Sequence, residues 1–339
     1  MPATIKDVAR AAKVSKATVS YVINDKPGVG EETRRRVLAI MKEMNYRPNA
    51  VARGLAGQST ETLGLIIPDI SDMFYASIIR GVENTANRFG RTLNLCTTHG
   101  LPERERAAVD IYTRHRVDGV ILMTYFLEDH CLADLADRAL PFVTIDNPAP
   151  GTTFPAVAVD NEEAGYQATR HLRELNHRRI AFISGKQGSK DSELRFAGYQ
   201  RVLREDGLPI EQRMIRSGGF SRDEGYKAAA ELLAMADSPT AIFAANDQMA
   251  LGALSAALDR GLSVPRDLSI IGVDDIEAAA MVEPPLTTIR QPTYEMGGLA
   301  VEMLMALIKG ERPIQTKVLL KTELIRRGSC APPGRKHGT

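Results

Sequence analysis

The stretch TIKDVARAAKVSKATVSYVIN, residues Thr4 to Asn24, decides the fold of the first part of this 339-residue chain. Thr4 and Asp7 have the spacing of a capping box, so a helix should begin just after Thr4. The apolar residues that follow have the spacing of one helical face: Ile5, Val8, Ala9 and Ala12. The next residues, KVS, allow only a short connection.

The nine residues KATVSYVIN, from Lys16 to Asn24, could form a buried strand or a second helix. Ser15 can cap a helix through its hydroxyl. A helix would place the apolar residues on one side: Val19, Val22 and Ile23. Strand alternation fits less well beside two helix-start signals, so we predict a second helix.

A third helix is predicted over EETRRRVLAIMKEM, residues 31–44. Its apolar stripe is Val37, Ile40, Met41 and Met44. Three short helices with a tight turn between the first two form a helix-turn-helix pattern, whose second helix enters the major groove of DNA. Short helix triplets also occur in proteins that never touch DNA, and the pattern alone leaves that alternative open.

Charge separates this N-terminal part from the rest of the chain. Residues 1–60 contain eleven basic and five acidic residues, and the remainder contains 32 basic and 37 acidic residues. A basic head on a mildly acidic body favours an anionic partner for the head.

The length predicts two or more domains. No apolar run suits a membrane span or signal peptide, and Cys96, Cys131 and Cys330 are interpreted as isolated thiols of a reducing cytosol.

From Leu63 onward, short apolar runs alternate with amphipathic helical stretches. The strand candidates are LGLII, TLNLC, GVILM, PFVTI and AVAV, followed by RIAFISG, AIFAAN and LSIIGV. Nearly continuous apolar runs that alternate with helices are typical of parallel strands in doubly wound α/β units. Two sets of strands predict two similar subdomains, with a ligand cleft between them at the carboxyl ends of the strands.

Polar and aromatic residues follow these strands. The set includes Asp69, Ser71, Phe74, Tyr75, Asp146, Asn246, Asp247, Asp274 and Asp275, with Arg195 at the start of a helix and Phe220 elsewhere. Carboxylates and amides bind vicinal hydroxyls, a guanidinium donates in a planar fork, and aromatic faces stack on rings. Each Asp or Asn alone could simply cap a helix. Their repetition at one end of the sheets favours a ligand site.

The head and the nine residues NAVARGLAG after it resemble the DNA-binding head and hinge of the LacI/GalR family of bacterial transcription regulators. The resemblance implies DNA contacts at Thr4, Ser15, Lys16, Ala17, Thr18, Ser20, Tyr21, Asn24, Asn49, Ala52, Arg53 and Leu55. It also implies a hinge helix that forms on operator DNA, with Leu55 as a wedge in the minor groove. Many relatives have Arg where this chain has Tyr21, so its operator should differ there.

The body resembles the effector-binding core of the same family through IPDIS, VDGVIL, ELRFAGY, ANDQMALGAL, GVDDIE and PPLTTIRQP. The pocket positions of the family fall on Phe74, Tyr75, Asp146, Asp191, Arg195, Phe220, Asn246, Asp274 and Gln291. Met73 replaces a smaller residue of many relatives, which should change the pocket mouth.

The resulting fold prediction is α/β: a three-helix helix-turn-helix head and hinge helix, joined to a doubly wound core of the periplasmic sugar-binding protein type. We expect a head at 1–48, a hinge and linker at 49–61, a core at 62–330 and a disordered tail at 331–339. Within the core, 62–160 plus 291–317 should form one subdomain and 161–290 plus 318–330 the other.

The predicted function is a cytoplasmic, nucleoid-associated repressor controlled by a small molecule, with a sugar or sugar derivative expected as effector. A purine corepressor is the alternative, because Phe74, Tyr75 and Phe220 could sandwich a base. A solute-binding protein would need a signal peptide, and an enzyme would need catalytic groups that the sequence does not display. We expect a homodimer on pseudo-palindromic operator DNA, with no metal, cofactor or membrane partner.

Overall fold

The computed structural model describes residues 3–23, 26–46, 59–115, 117–124, 132, 135–137, 140–146, 154–311 and 315–334. Five predicted DNA contacts lie outside these residues: Asn24, Asn49, Ala52, Arg53 and Leu55. The chain forms two compact units, residues 1–60 and 61–339, and each is described by itself.

The N-terminal unit contains three helices, α1 (Ile5–Ala11), α2 (Lys16–Ile23) and α3 (Glu31–Glu43). Thr4 and Asp7 bond at the start of α1, where the Asp7 carboxylate accepts the Thr4 backbone N–H at 3.0 Å. Ser15 Oγ accepts the Thr18 N–H at 3.0 Å and caps α2. The predicted apolar faces meet in one core, which contains Val8, Ala9, Ala12, Val19, Val22 and Val37. Both helix starts and all three helical faces are therefore confirmed.

The larger unit contains two six-stranded sheets. The first has the order β11-β5-β4-β3-β1-β2 and the second β12-β10-β9-β8-β6-β7, and the pairings are parallel except between β10 and β12. The strands are β1 (Thr62–Ile67), β2 (Thr92–Thr97), β3 (Gly119–Leu122), β4 (Phe142–Ile145), β5 (Ala156–Val159), β6 (Ile180–Ser184), β7 (Ile215–Ser217), β8 (Ala241–Ala244), β9 (Ser269–Asp274), β10 (Thr287–Arg290), β11 (Lys317–Leu320) and β12 (Glu323–Ile325).

Helices cover both sheets. They are α4 (Met73–Arg88), α5 (Pro102–His115), α6 (Asn161–Glu174), α7 (Lys190–Glu205), α8 (Arg222–Leu233), α9 (Asp247–Asp259), α10 (Glu277–Met281) and α11 (Thr293–Ile308). Apolar strand residues are buried against these helices, as nearly continuous apolar runs require. All eight strand candidates from the sequence form strands, whereas β7, β10, β11 and β12 were not predicted. No helix in the described ranges has the length and apolar character needed to cross a bilayer.

We call the unit built on the first sheet lobe 1 and the unit built on the second sheet lobe 2. Within the described residues the chain crosses between the lobes three times: after β5, between β10 and α11, and between β11 and β12. The predicted return to lobe 2 after residue 317 is wrong, because β11 pairs with β5 as far as Leu320. The third crossing therefore lies between Leu320 and Glu323.

The predicted disordered tail begins too early. The carbonyl of Ala331 accepts hydrogen bonds from His177 Nε2 at 2.9 Å and from Ser269 Oγ at 3.0 Å, and its N–H donates to Ser269 Oγ. His177 is fully buried, and burial lowers its pKa. Residue 331 is thus part of lobe 2, because two buried side chains need its backbone as a partner.

Candidate functional site

A cavity that is open to solvent lies between the lobes, and its space of about 490 Å³ includes part of that solvent. Eight of the nine sequence-predicted effector residues line it: Phe74, Tyr75, Asp146, Asp191, Arg195, Phe220, Asn246 and Asp274. The fold brings these residues together because strands and helices of both lobes end at the same cleft.

Arg195 on α7 is the central cation of this cavity and is 4% exposed. Its Nε donates to Asn161 Oδ1 at 2.8 Å, and its Nη1 donates to the Ala245 carbonyl at 2.6 Å. Asn161 in turn donates to Asp191 Oδ1 at 3.3 Å. Two protein acceptors thus fix the plane of the guanidinium, which a planar donor needs for directed recognition.

Carboxyl groups outnumber cations in the cavity. Burial raises the pKa of Asp146, the neighbouring Asp191 charge raises it further, and Arg195 opposes this rise. Burial also raises the pKa of Asp274 well above its usual value, again opposed by Arg195. A buried carboxyl with a raised pKa can accept or donate a hydrogen bond, so these groups suit hydroxyls better than anions.

Several cavity residues have unusual backbone conformations. The φ angles of Asp146, Phe220 and Asp274 are 56°, 66° and 127°. Non-glycine residues with positive φ are uncommon and cluster at ligand sites. Asn246 both lines the cavity and caps α9, since its Oδ1 accepts the Met249 N–H at 2.9 Å. The cap interpretation and the ligand interpretation of such a residue are therefore compatible.

Three aromatic rings form part of the wall. Phe74 and Tyr75 lie edge to face, with centroids 5.2 Å apart. Phe220 lies against Gly185, where a Cβ would stand 2.1 Å from the ring. Glycine at 185 thus leaves the space that the Phe220 ring occupies.

Gln291 is the ninth predicted residue and does not line the cavity. Its Nε2 donates to Asp274 Oδ1 at 2.7 Å, so it contacts the site through that carboxylate. Sequence reasoning missed Asn161, whose side chain accepts a hydrogen bond from Arg195 and donates one to Asp191. Its only sequence signal is its place directly after a helix cap, Asp160.

Other polar residues at the strand ends lie outside this cavity. Asp69 and Ser71 bond to each other and line a neighbouring cavity with His99 and Lys186. Asp247 is fully buried and accepts the Ile276 N–H at 3.0 Å, so its role is structural. Among the described residues, no group of three or more His, Cys, Asp or Glu side chains could hold a metal ion.

The N-terminal unit presents a second candidate surface on α2. Lys16, Ala17 and Tyr21 are exposed, and the Lys26 ammonium lies 5.8 Å from the Tyr21 ring centroid. Ser15 is also exposed, and Thr18 and Ser20 are half-buried. Thr4 is exposed, but its hydroxyl donates to Asp7 at 2.6 Å. The described part of the predicted base-reading helix thus faces solvent with polar side chains.

A basic helix-turn-helix unit joined to a two-lobed, ligand-cavity core defines a class of DNA-binding regulators. Residues 4–49 match the sequence profile of "Bacterial regulatory proteins, lacI family", and residues 169–330 match that of a "Periplasmic binding protein-like domain". The chain is 39% identical over 312 residues to Catabolite control protein A of Priestia megaterium. The alignment covers 92% of this chain and 94% of that protein.

Solved structures of transcription regulators share the fold of this chain. A lac repressor dimer bound to operator and the anti-inducer ONPF superposes with a TM-score of 0.86 at 31% identity, covering 98% of this chain and all of that one. A complex of the transcriptional regulator CelR with cellobiose gives a TM-score of 0.75 at 33% identity, covering 96% and 99%. The chain belongs to the LacI family, and it is a DNA-binding transcription regulator rather than an enzyme.

Proposed function

We propose that the cavity binds an uncharged sugar or sugar derivative, and that this ligand controls operator binding by the head. The observation that carries the proposal is the convergence of buried aspartates from both lobes on one fixed guanidinium. Asp146 belongs to lobe 1, whereas Asp191, Arg195 and Asp274 belong to lobe 2. A ligand that contacts both lobes would hold them together.

The charge balance selects the ligand class. Four aspartates line the cavity with one arginine: Asp72, Asp146, Asp191 and Asp274. This balance disfavours an anion, because an added negative charge would meet carboxylates in a poorly solvated site. Vicinal hydroxyls fit this set, since each hydroxyl can both donate and accept. The aromatic wall can cover the apolar face of a sugar ring. CelR, a relative in fold and sequence, was solved with cellobiose.

A purine is the second candidate, and the trio Phe74, Tyr75 and Phe220 favours it. Aromatic faces stack on flat bases, and the Asp and Asn side chains could pair with base edges.

A thermal-shift panel separates the two. We expect cellobiose or D-ribose to raise the melting temperature of the full chain, and guanine and hypoxanthine to leave it unchanged, because a ligand of the native state stabilises it by mass action. A rise with the purines alone would favour the purine. A panel without any rise would contradict both.

The control mechanism follows from linkage. A ligand shifts the lobe equilibrium only by its differential affinity for the closed and open arrangements. We propose that this shift acts on the segment 49–61 and so on the operator affinity of a cytoplasmic, nucleoid-associated repressor. The measurement is fluorescence anisotropy with an operator fragment selected from a random pool, with and without the active panel compound. Unchanged affinity would contradict an effector role.

We predict that Lys16→Ala and Tyr21→Ala change the base preference of the operator. Each lost base contact should cost about 1–3 kcal/mol of discrimination at one position of the site. Repeating the selection from the random pool with each variant measures this. Lys42→Ala removes the same charge as Lys16→Ala from the end of α3 and should select the wild-type sequence. Identical selected sequences for all three variants would place base reading elsewhere.

We propose a homodimer on a pseudo-palindromic operator. Leu258 on α9 and Met281 on α10 are 74% and 72% exposed, and Leu251, Leu254 and Val282 line a groove between these helices with Leu258. Exposed apolar surface of this extent is typical of an interface, and two-fold symmetry buries the same patch on both copies. The lac repressor was solved as a dimer.

Leu258→Asp should weaken dimerisation at least tenfold, because a carboxylate would lose its hydration in the interface. Sedimentation equilibrium measures the dissociation constant. Leu319→Asp is the control, since Leu319 is 53% exposed on strand β11 at the edge of lobe 1. An equal effect of both variants would mean that the α9–α10 surface is not the interface, and a mass of four chains would contradict the dimer.

A further inference from the structure

The last residue of β9 and the first residue of the following loop both have positive φ, Asp274 at 127° and Asp275 at 62°. Neither is glycine, and such conformations persist only where the surroundings hold them. Asp274 lines the cavity between the lobes, and Asp275 is absent from its described lining. An interaction outside the cavity must therefore stabilise the strained backbone that presents Asp274.

The Asp275 side chain provides this stabilisation through two ion pairs. Its Oδ1 accepts from Arg327 Nη2 at 2.6 Å, and its Oδ2 accepts from Arg290 Nε at 2.7 Å. The Asp275 side chain is 9% exposed, and that of Arg327 is 18% exposed. The pair with Arg327 is short and sheltered from water, so it is a charge-assisted bond with a defined direction. The Arg290 side chain is 47% exposed, so its pair with Asp275 is more open to solvent screening.

The two arginines connect this loop to the segments that join the lobes. Arg290 is the last residue of β10, directly before the second crossing, and its Nη1 donates to Glu323 at 3.3 Å. Glu323 is the first residue of β12, directly after the third crossing. Arg327 donates from Nη1 to the Leu286 carbonyl at 2.9 Å and so is itself fixed to the segment before β10.

We propose that Asp275 is a positioning residue: its ion pairs hold the strained loop that presents Asp274 to the cavity and connect that loop to two of the three crossings found in the described chain. The inference rests on the proposed function, because Asp274 would contact the effector. A ligand on Asp274 would then act directly on the segments about which the lobes move.

Other bonds limit the effect of losing Asp275 to this loop. Asp247 Oδ2 accepts the Ile276 N–H at 3.0 Å, and Gln291 N–H donates to the Asp274 carbonyl at 3.3 Å. These bonds keep the loop attached to lobe 2. Asp275→Asn retains the shape of the side chain and removes its charge, so the variant should fold.

The test is hydrogen exchange of the ligand-free full chain. In Asp275→Asn the amides of Ile276 and Gln291 should exchange at least tenfold faster than in the wild type, while the amide of Phe243 on the neighbouring strand β8 stays unchanged. Asp275→Glu keeps the charge and should recover part of the protection. Unchanged exchange at Ile276 and Gln291, or equal exchange in the Glu and Asn variants, would overturn the proposal.

Asp267→Asn is the matched control, because Asp267 forms an ion pair of 2.9 Å with Arg266 in the same lobe. It should leave the amides of Ile276 and Gln291 unchanged, and an equal acceleration in both variants would overturn the proposal.

In a second experiment, the full chain is titrated with cellobiose, D-ribose, guanine and hypoxanthine, and its melting temperature is followed by thermal shift. Asp275→Asn should need at least tenfold more of any compound that stabilises the wild type, and an unchanged requirement would overturn the connection to the cavity. A panel that fails with the wild type contradicts the proposed effector, whereas the ligand-free exchange still decides the role of Asp275.

Discussion

Arg195→Lys should weaken binding of the effector at least a hundredfold. The planar guanidinium is fixed by Asn161 and the Ala245 carbonyl, and a lysine ammonium cannot reproduce both bonds and also donate to a ligand. A hydrogen bond to a charged group contributes about 1.5–3 kcal/mol, so the loss of two corresponds to more than a hundredfold. Isothermal titration with the panel compound that stabilises the wild type measures the change.

Lysine is a sharper substitution than alanine here. Arg195→Ala would leave Asn161 Oδ1 and the Ala245 carbonyl without the donor that they bond to, and a buried acceptor left unsatisfied costs about 1–3 kcal/mol. A loss of ligand binding could then reflect partial unfolding. Arg195→Lys retains a positive charge, so the unliganded variant should melt within a few degrees of the wild type and bind the selected operator fragment normally.

Arg201→Lys is the matched control on the same helix. Arg201 is half exposed and forms a 3.1 Å ion pair with Glu205. The exchange of arginine for lysine there should leave the ligand affinity unchanged, because no cavity atom depends on it. Wild-type ligand affinity in Arg195→Lys would mean that the cavity is not the effector site.

The sequence predicts the site well where local signals and position in the fold coincide. Asp146 and Asn246 follow strands and Asp274 ends one, and parallel strands bring their carboxyl ends to one edge. Arg195 does not follow a strand: its position at the start of a helix makes it a candidate, and the resemblance to the LacI/GalR family places it among the pocket positions. Those assignments of position agree with the cavity, whereas the roles of the residues in binding remain predictions.

The sequence fails where contacts join distant residues. Asn161 and Arg195 are 34 residues apart and bond across two helices, which no periodicity reveals. Strands β10, β11 and β12 have three or four residues each and contain a charged residue, so they lack the nearly continuous apolar runs of the equally short β3, β4, β5 and β8. The misplaced return to lobe 2 has the same origin, since β11 was not recognised as a strand of lobe 1.

Close packing of helix pairs is a second feature hidden from the sequence, and it supports Arg195 directly. Helices α6 and α7 approach through Gly165 and Gly198. A Cβ at Gly165 would lie 2.0 Å from the Arg195 carbonyl oxygen, and one at Gly198 would lie 2.1 Å from the Glu162 carbonyl oxygen. Backbone atoms cannot move aside as a flexible side chain can, so the two helices would have to separate.

The same arrangement recurs in two further helix pairs. A Cβ at Gly252 would meet the Arg222 carbonyl oxygen at 2.1 Å, where α9 crosses α8. A Cβ at Gly81 would meet the Tyr294 carbonyl oxygen at 2.1 Å, where α4 crosses α11. Glycine inside a helix costs about 1 kcal/mol relative to alanine, so its use at these crossings is explained by the contact and not by helix propensity.

Gly165→Ala should therefore destabilise the protein, although alanine is the better helix former. Overpacking of a tight contact costs about 1–3 kcal/mol and opposes the propensity gain of about 1 kcal/mol, so we expect a net loss of up to about 2 kcal/mol in the free energy of unfolding. Urea denaturation followed by circular dichroism measures it. Because the added methyl meets the backbone of Arg195 itself, the affinity for the effector should fall as well.

Gly298→Ala on α11 distinguishes crowding from helix propensity. The nearest atom to a Cβ there is Thr85 Oγ1 at 3.2 Å, a side-chain atom that needs to shift only slightly. This variant should be close to the wild type in stability or slightly more stable, and its ligand affinity should not change. Gly165→Ala could instead stabilise the chain as much as Gly298→Ala does. The α6–α7 crossing would then have room for a Cβ at residue 165, contrary to the 2.0 Å distance to the Arg195 carbonyl oxygen, and that contact would not hold the backbone of Arg195.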